Sequence, residues 1–115
     1  MKPIPEREER ILKFLGLAAR AGRTVVGVPL ICTALQQAKK DKTPLVVLLA
    51  GNCATNTKKR ITDRTAFYGV PLVELQIDTE ALALYVGKRD AAVAAVGITE
   101  QHLAGAILAI QKEDI

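Results

Sequence analysis

One stretch of this chain combines residue types and spacing that suit chemistry: Gly51-Asn52-Cys53-Ala54-Thr55-Asn56-Thr57-Lys58-Lys59-Arg60. A continuous apolar run, Leu45–Ala50, ends just before it, and a basic helical pattern begins inside it. The first N–H groups of a helix have no intrahelical acceptor, and the dipole end there is positive, so such a start attracts anions. Thr55, Asn56 and Thr57 add neutral donors, and Lys58, Lys59 and Arg60 add charge. A nucleotide-triphosphate loop needs a second Gly and a Gly-Lys-Ser/Thr ending, both absent here. A phosphate of RNA therefore suits the stretch better. The same residues also read as an ordinary helix cap followed by a solvated basic turn.

A second helix start, Gly27-Val28-Pro29, follows a short apolar segment, and the crossover rule puts it at the same end of a sheet as Asn52. Pro29 fits a first helical turn, where its missing N–H has no consequence. Cys53 at a helix start beside lysines has some of the surroundings of a reactive thiol, but no sequence cue brings a base near it. His102, the single histidine, lies after the last apolar run. Cys32 sits among Leu30, Ile31 and Leu35 as a small apolar residue. Two Cys and one His make no zinc set, and no carboxylate pair is spaced for acid–base work. No catalytic residue, metal or cofactor is expected. Phe14, Phe67, Tyr68 and Tyr85 all fit core or half-core positions, which leaves no stacking platform for single strands.

The elements that must position these residues alternate. Helices are expected over Glu6–Ala21, Pro29 to about Lys40, Thr55–Tyr68, Thr79–Val86 and from Thr99, as a cap, to about Lys112. Strands are expected at Thr24–Val26, Leu45–Ala50, Val70–Gln76 and Ala91–Ile98. Leu45–Ala50, apolar throughout, marks a strand buried on both faces. Strict alternation gives an α/β fold, a three-layer α/β/α sandwich on a small mixed four-stranded sheet. With 115 residues, half of them apolar, the chain suits one domain over 1–115 with a short lead at 1–5. No apolar run approaches a membrane span. The N-terminus leads into charge instead of a signal segment, so an untargeted cytoplasmic protein is expected. Residues 10–64 carry eleven Lys and Arg against two Asp, net +9, whereas residues 65–115 are net −4. That asymmetry is expected of a polyanion binder, or of a solvated basic face.

Leu15-Gly16-Leu17-Ala18-Ala19-Arg20-Ala21-Gly22-Arg23 resembles the first-helix motif of bacterial YlxQ-like proteins, within the ribosomal L-seven-Ae/L-thirty-e superfamily. Asn56–Arg60, Asp63 and Phe67–Pro71 resemble that branch's third-helix motif. Gly87-Lys88 with Ala91–Val96 is similar to its later part. The resemblance spans about residues 10–110. It implies the three-layer fold and RNA binding, in the best-known members to kink-turns, in or near the translation machinery. Family contacts map onto Gly27–Leu30 and Thr33, onto Asn52–Lys58, and onto Lys88–Ala91. Where kink-turn binders carry Asn, Glu and a following Lys, this chain has Pro29, Leu30 and Thr33. Their apolar later loop is here Lys88-Arg89-Asp90.

The expected function is therefore non-enzymatic binding of structured RNA, ribosomal RNA foremost, with ribosome or translation factors as further partners. Lys58, Lys59 and Arg60 would hold phosphates, with Thr55 as a neutral donor beside them. Gly27 would admit the backbone closely, with Val28 and Pro29 beside it at the same helix start, Asn52 would offer its amide to a base edge, and Lys88 and Arg89 would reach a neighbouring phosphate. The alternative is a protein-interaction module whose exposed apolar spot is Val28, Pro29 and Leu30.

Overall fold

The computed structural model describes residues 4–113. Nine elements alternate along them: α1 (Glu6–Arg20), β1 (Thr24–Val26), α2 (Val28–Gln37), β2 (Val46–Leu49), α3 (Thr55–Tyr68), β3 (Leu72–Glu74), α4 (Thr79–Tyr85), β4 (Ala95–Ile98) and α5 (Gln101–Lys112). Part of the expected lead at 1–5 lies outside the described residues; Pro5 is the N-cap of α1. The strands order as β1-β4-β2-β3. β4 runs antiparallel to both neighbours, and β2 and β3 are parallel. The sheet is mixed, as expected.

Period-two alternation along β2 serves two cores. Val46, Leu48 and Ala50 pack with Ile11, Leu15, Leu82 and Ile107, under α1, α4 and α5. Val47 and Leu49 pack with Ile31, Leu35 and Ile61, under α2 and α3. Every residue of β2 is buried, which is why its sequence is apolar without interruption. This is the three-layer sandwich.

Four local expectations need correction. α2 stops at Gln37 because Ala38 turns left-handed (φ 50°), so Lys39 and Lys40 lie beyond the helix and do not complement its dipole. β4 begins at Ala95, not Ala91, consistent with the weak strand preference of the Ala-rich stretch before it. Glu100, not Thr99, caps α5: its carboxylate accepts the N–H groups of His102 and Leu103. Thr99 is buried, and its hydroxyl donates to the Arg23 carbonyl. Phe67 is largely exposed, not core-facing. It lies about 200° around α3 from the buried Thr65, and its ring meets Tyr68 edge-on.

Glu8 is buried, and its two carboxylate oxygens accept the backbone N–H groups of Gln76 (2.6 Å) and Ile77 (3.0 Å). The Ile77 carbonyl in turn accepts Gly51 N–H, and Asn52 Oδ1 accepts Thr79 N–H. A Cβ on Gly51 would stand 2.6 Å from the Leu75 carbonyl oxygen, so only glycine fits against this segment.

Glu8→Gln keeps the shape but leaves one N–H facing a donor. We expect a loss of roughly 2–3 kcal/mol in urea unfolding; a change under about 0.5 kcal/mol would show the clamp to be dispensable. Glu100 is a pH-dependent element. Hydrogen bonds from the Leu103 and His102 N–H groups hold its pKa down to about 2, below its ordinary 4.5. Its stabilisation is present above the ordinary value and fades as pH falls from there towards about 2. Glu100→Gln should flatten the acid limb of a stability–pH curve across that window.

Candidate nucleic-acid interface

β1, β2 and β3 all run towards one end of the sheet, and β4 starts from that end. Gly27 N–H donates to the Ala95 carbonyl, and Ala50 N–H to the Ala94 carbonyl. The starts of α2 and α3 and the approach to β4 therefore meet. Gly27, Val28, Pro29, Thr57, Arg60, Ala92, Val93 and Ala94 line one cleft of about 350 Å³.

Gly27 is the N-cap of α2 at φ 95°, ψ 146°, a backbone region that is essentially glycine's own. Its carbonyl accepts Ile31 N–H, opening the helix. A Cβ at this position would meet only Pro29 Cδ at 4.0 Å, so the requirement is conformational, not spatial. Ala54 caps α3 with no side-chain hydrogen bond, and no acidic residue occupies the first turn. An anion at this helix start meets no built-in competitor.

The cations differ in availability. Lys58 Nζ lies 2.8 Å from Glu74, whose hydrogen bond and then charge hold the Lys58 pKa above its ordinary value. Lys59 sits 3.7 Å from Asp63 one turn on, with both side chains well exposed, a pairing worth little in water. Arg60 lines the cleft and has no ion pair among the described residues. The Asn52 side-chain oxygen accepts Thr79 N–H, which leaves its NH2 group as the donor towards a ligand.

Gly27, Val28, Pro29 and Arg60 come together as expected of one rim. Thr55 is exposed at the first residue of α3 and does not line the cleft. Lys88 and Arg89 lie past the C-terminal end of α4, whereas Val93 is hydrogen-bonded back to Thr79 at its start. The later wall of the cleft is thus Ala92–Ala94, small and apolar, not the charged turn. A strand expected to begin at Ala91 hid these residues; their run of alanines before Val93 was the available cue. Of the alternative apolar spot, Val28 is buried, whereas Pro29 and Leu30 are exposed and Leu30 lines a separate groove beside β1.

The sequence-level charge bias also divides in space. Lys39, Lys42 and Arg23 lie at the opposite end of the sheet, beside Thr99. Lys13 and Arg20 line a groove against the end of α4. Only the Lys58–Arg60 run stands at the start of α3. Cys53 packs on the α2/α3 core at the cleft end. His102, with Glu100 3.0 Å from its Nδ1, follows β4 at the other end, so the two cannot form a catalytic pair. No cluster of three or more His, Cys, Asp or Glu suits a metal, and no helix is long and apolar enough to cross a membrane, among the described residues.

Gly27→Ala forces a side chain into the glycine-only region. We expect about 1–3 kcal/mol of destabilisation in urea unfolding, together with amide shift changes at Ala95 and Ile31. A stability unchanged from wild type would show that α2 can open another way.

The model of the ribosomal protein L7Ae/L30e/S12e/Gadd45 family matches residues 9–106. Two relatives each bear the name RNA-binding protein YlxQ. That of Bacillus subtilis (strain 168) is 31% identical over 97 residues, covering 84% of this chain and 90% of its own. That of Enterococcus faecium is 30% identical over 80 residues, covering 70% and 73%. In fold, the chain is similar to a solved Bacillus halodurans protein of unknown function, with TM-score 0.77, 23% identity, and 90% and 97% of the two chains covered. It is also similar to the Giardia lamblia 15.5kD RNA binding protein, with TM-score 0.75, 15% identity, and 96% and 89% covered. With the family model matched over most of its length and two relatives at this level of identity, the chain belongs to the ribosomal protein L7Ae/L30e/S12e/Gadd45 family.

Proposed function

We propose that this chain is a non-enzymatic binder of structured RNA, ribosomal RNA foremost, acting in the cytoplasm in association with the ribosome or translation factors. The observation that carries the reading is the cleft at the end of the sheet. Two helix starts, an arginine without an ion pair among the described residues, and a small apolar wall open on it together. The names of the relatives support the same class of ligand.

The chemistry favours backbone and shape over base identity. Uncapped N–H groups at α3 and the Arg60 guanidinium suit phosphate oxygens, which position a protein without conveying sequence. Pro29, Ala92 and Ala94 offer no side-chain donor or acceptor to a base edge, but their low profile lets a sugar–phosphate strand approach closely. The Thr57 hydroxyl lines the cleft, and the Asn52 amide, in the loop before α3, is a further polar reader. Lys88 and Arg89, beyond α4, extend the contact to a neighbouring phosphate of a large RNA. A kinked duplex fits such a surface by its bend.

Anisotropy with a kink-turn RNA and a matched straight duplex, across a salt series, tests this. Wild-type affinity should fall steeply with salt, and Arg60→Ala should lower the log–log slope by about one. Arg60→Glu should weaken binding roughly tenfold or more. Comparable affinity for the two RNAs marks a backbone reader; preference for the kink-turn marks a reader of bent shape. Failure to bind either RNA at low salt, or an unaltered affinity in Arg60→Glu, would overturn the assignment.

A further inference from the structure

We propose that the groove between α1 and the C-terminal end of α4 docks an amphipathic helix of a partner protein, one whose apolar stripe is flanked by acidic residues. The groove has a volume of about 670 Å³. Leu17, Leu84 and Tyr85 line it and are 46%, 63% and 37% exposed, half of the large apolar side chains exposed among the described residues. Clustered exposure of this kind marks an interaction surface, whereas scattered apolar residues do not.

Gly16 lies in the middle of α1 and lines the same groove. A mid-helix glycine costs about 1 kcal/mol relative to alanine. A Cβ there would meet nothing within 4 Å, so packing within the chain does not call for glycine. An external backbone approaching α1 closely does. The buried members of this motif, Leu15 and Ala18, serve the core. Its outward members, Gly16, Leu17 and Arg20, serve neither the core nor the RNA cleft.

Charge selects the occupant. Lys13 and Arg20 flank Gly16 two turns apart, about 10 Å along the axis. Neither has an ion pair among the described residues, and no acidic residue lines the groove. Two carboxylates seven residues apart on a partner helix would match them. Three large apolar side chains with two cations suit an apolar helix face better than RNA. The groove lies at the opposite end of α4 from Thr79, which Asn52 holds at the cleft.

The test uses the full chain and a synthetic 18-residue helical peptide with Leu at helical spacing and Glu at two flanking positions seven apart. A second peptide carries Lys in place of Glu. Anisotropy at physiological salt should give binding of the Glu peptide at least about tenfold tighter than of the Lys peptide. Lys13→Glu with Arg20→Glu should reverse that preference. Gly16→Phe should abolish binding and Gly16→Ala should weaken it severalfold, with circular dichroism reporting that α1 is intact in both. All these variants should bind RNA as wild type does. Equal affinity for the two peptides, no binding of the Glu peptide at about 1 mM, or indifference to Gly16→Phe would overturn the proposal. So would a loss of RNA affinity in the Lys13/Arg20 variant matching that of Arg60→Glu, since the groove would then be RNA surface.

Discussion

The central strand running against its neighbours is the constraint on which the rest depends. β4 lies between β1 and β2 and is antiparallel to both. Had it been parallel, Ala92–Ala94 would approach the sheet from the far end and Thr99 would sit at the cleft. Reversal brings its approach segment beside the ends of β1 and β2. Gly27 N–H and Ala50 N–H then find the Ala95 and Ala94 carbonyls. Three segments distant in sequence are stitched into one rim by backbone hydrogen bonds, leaving the side chains there available for a ligand.

A second set of contacts supports that rim from behind. The buried Glu8 carboxylate holds Gln76 and Ile77, Ile77 holds Gly51, and Asn52 holds Thr79. A charged side chain on the first turn of α1 thus fixes the backbone on which the α3 loop rests. Burial of a carboxylate is tolerable because both oxygens accept N–H groups that would otherwise lack partners. The loop at 51–54 is consequently positioned by the chain's own backbone, with the adjoining donors directed outward.

The surface is divided by chemistry as well as by place. The cleft end has helix starts, Arg60 and small apolar residues. The face of α1 and α4 has large apolar side chains between two cations. The opposite end of the sheet holds Arg23 against Thr99, with Lys39 and Lys42 nearby. Each region meets a different requirement, so the net charge of one half of the sequence does not describe any single one of them.

The sequence by itself determined the order and type of all nine elements, because hydrophobic periodicity and the Gly and Pro positions report local backbone and burial directly. It also identified Gly27, Pro29 and Arg60 as rim residues, since β-to-α junctions in an alternating fold gather at one end of a sheet. The tertiary structure alone decided which cations are available. Lys58 meets Glu74 across sixteen residues of chain, and Arg60 meets no acid among the described residues. It alone decided that Ala92–Ala94, not Lys88 and Arg89, forms the later wall, because that follows from how far β4 pairs. It alone decided that Glu8 is buried, since nothing in a glutamate on a helix start reveals two N–H groups brought to it from nearly seventy residues away. Pairing partners distant in sequence carry no local signature, and the site is made of them.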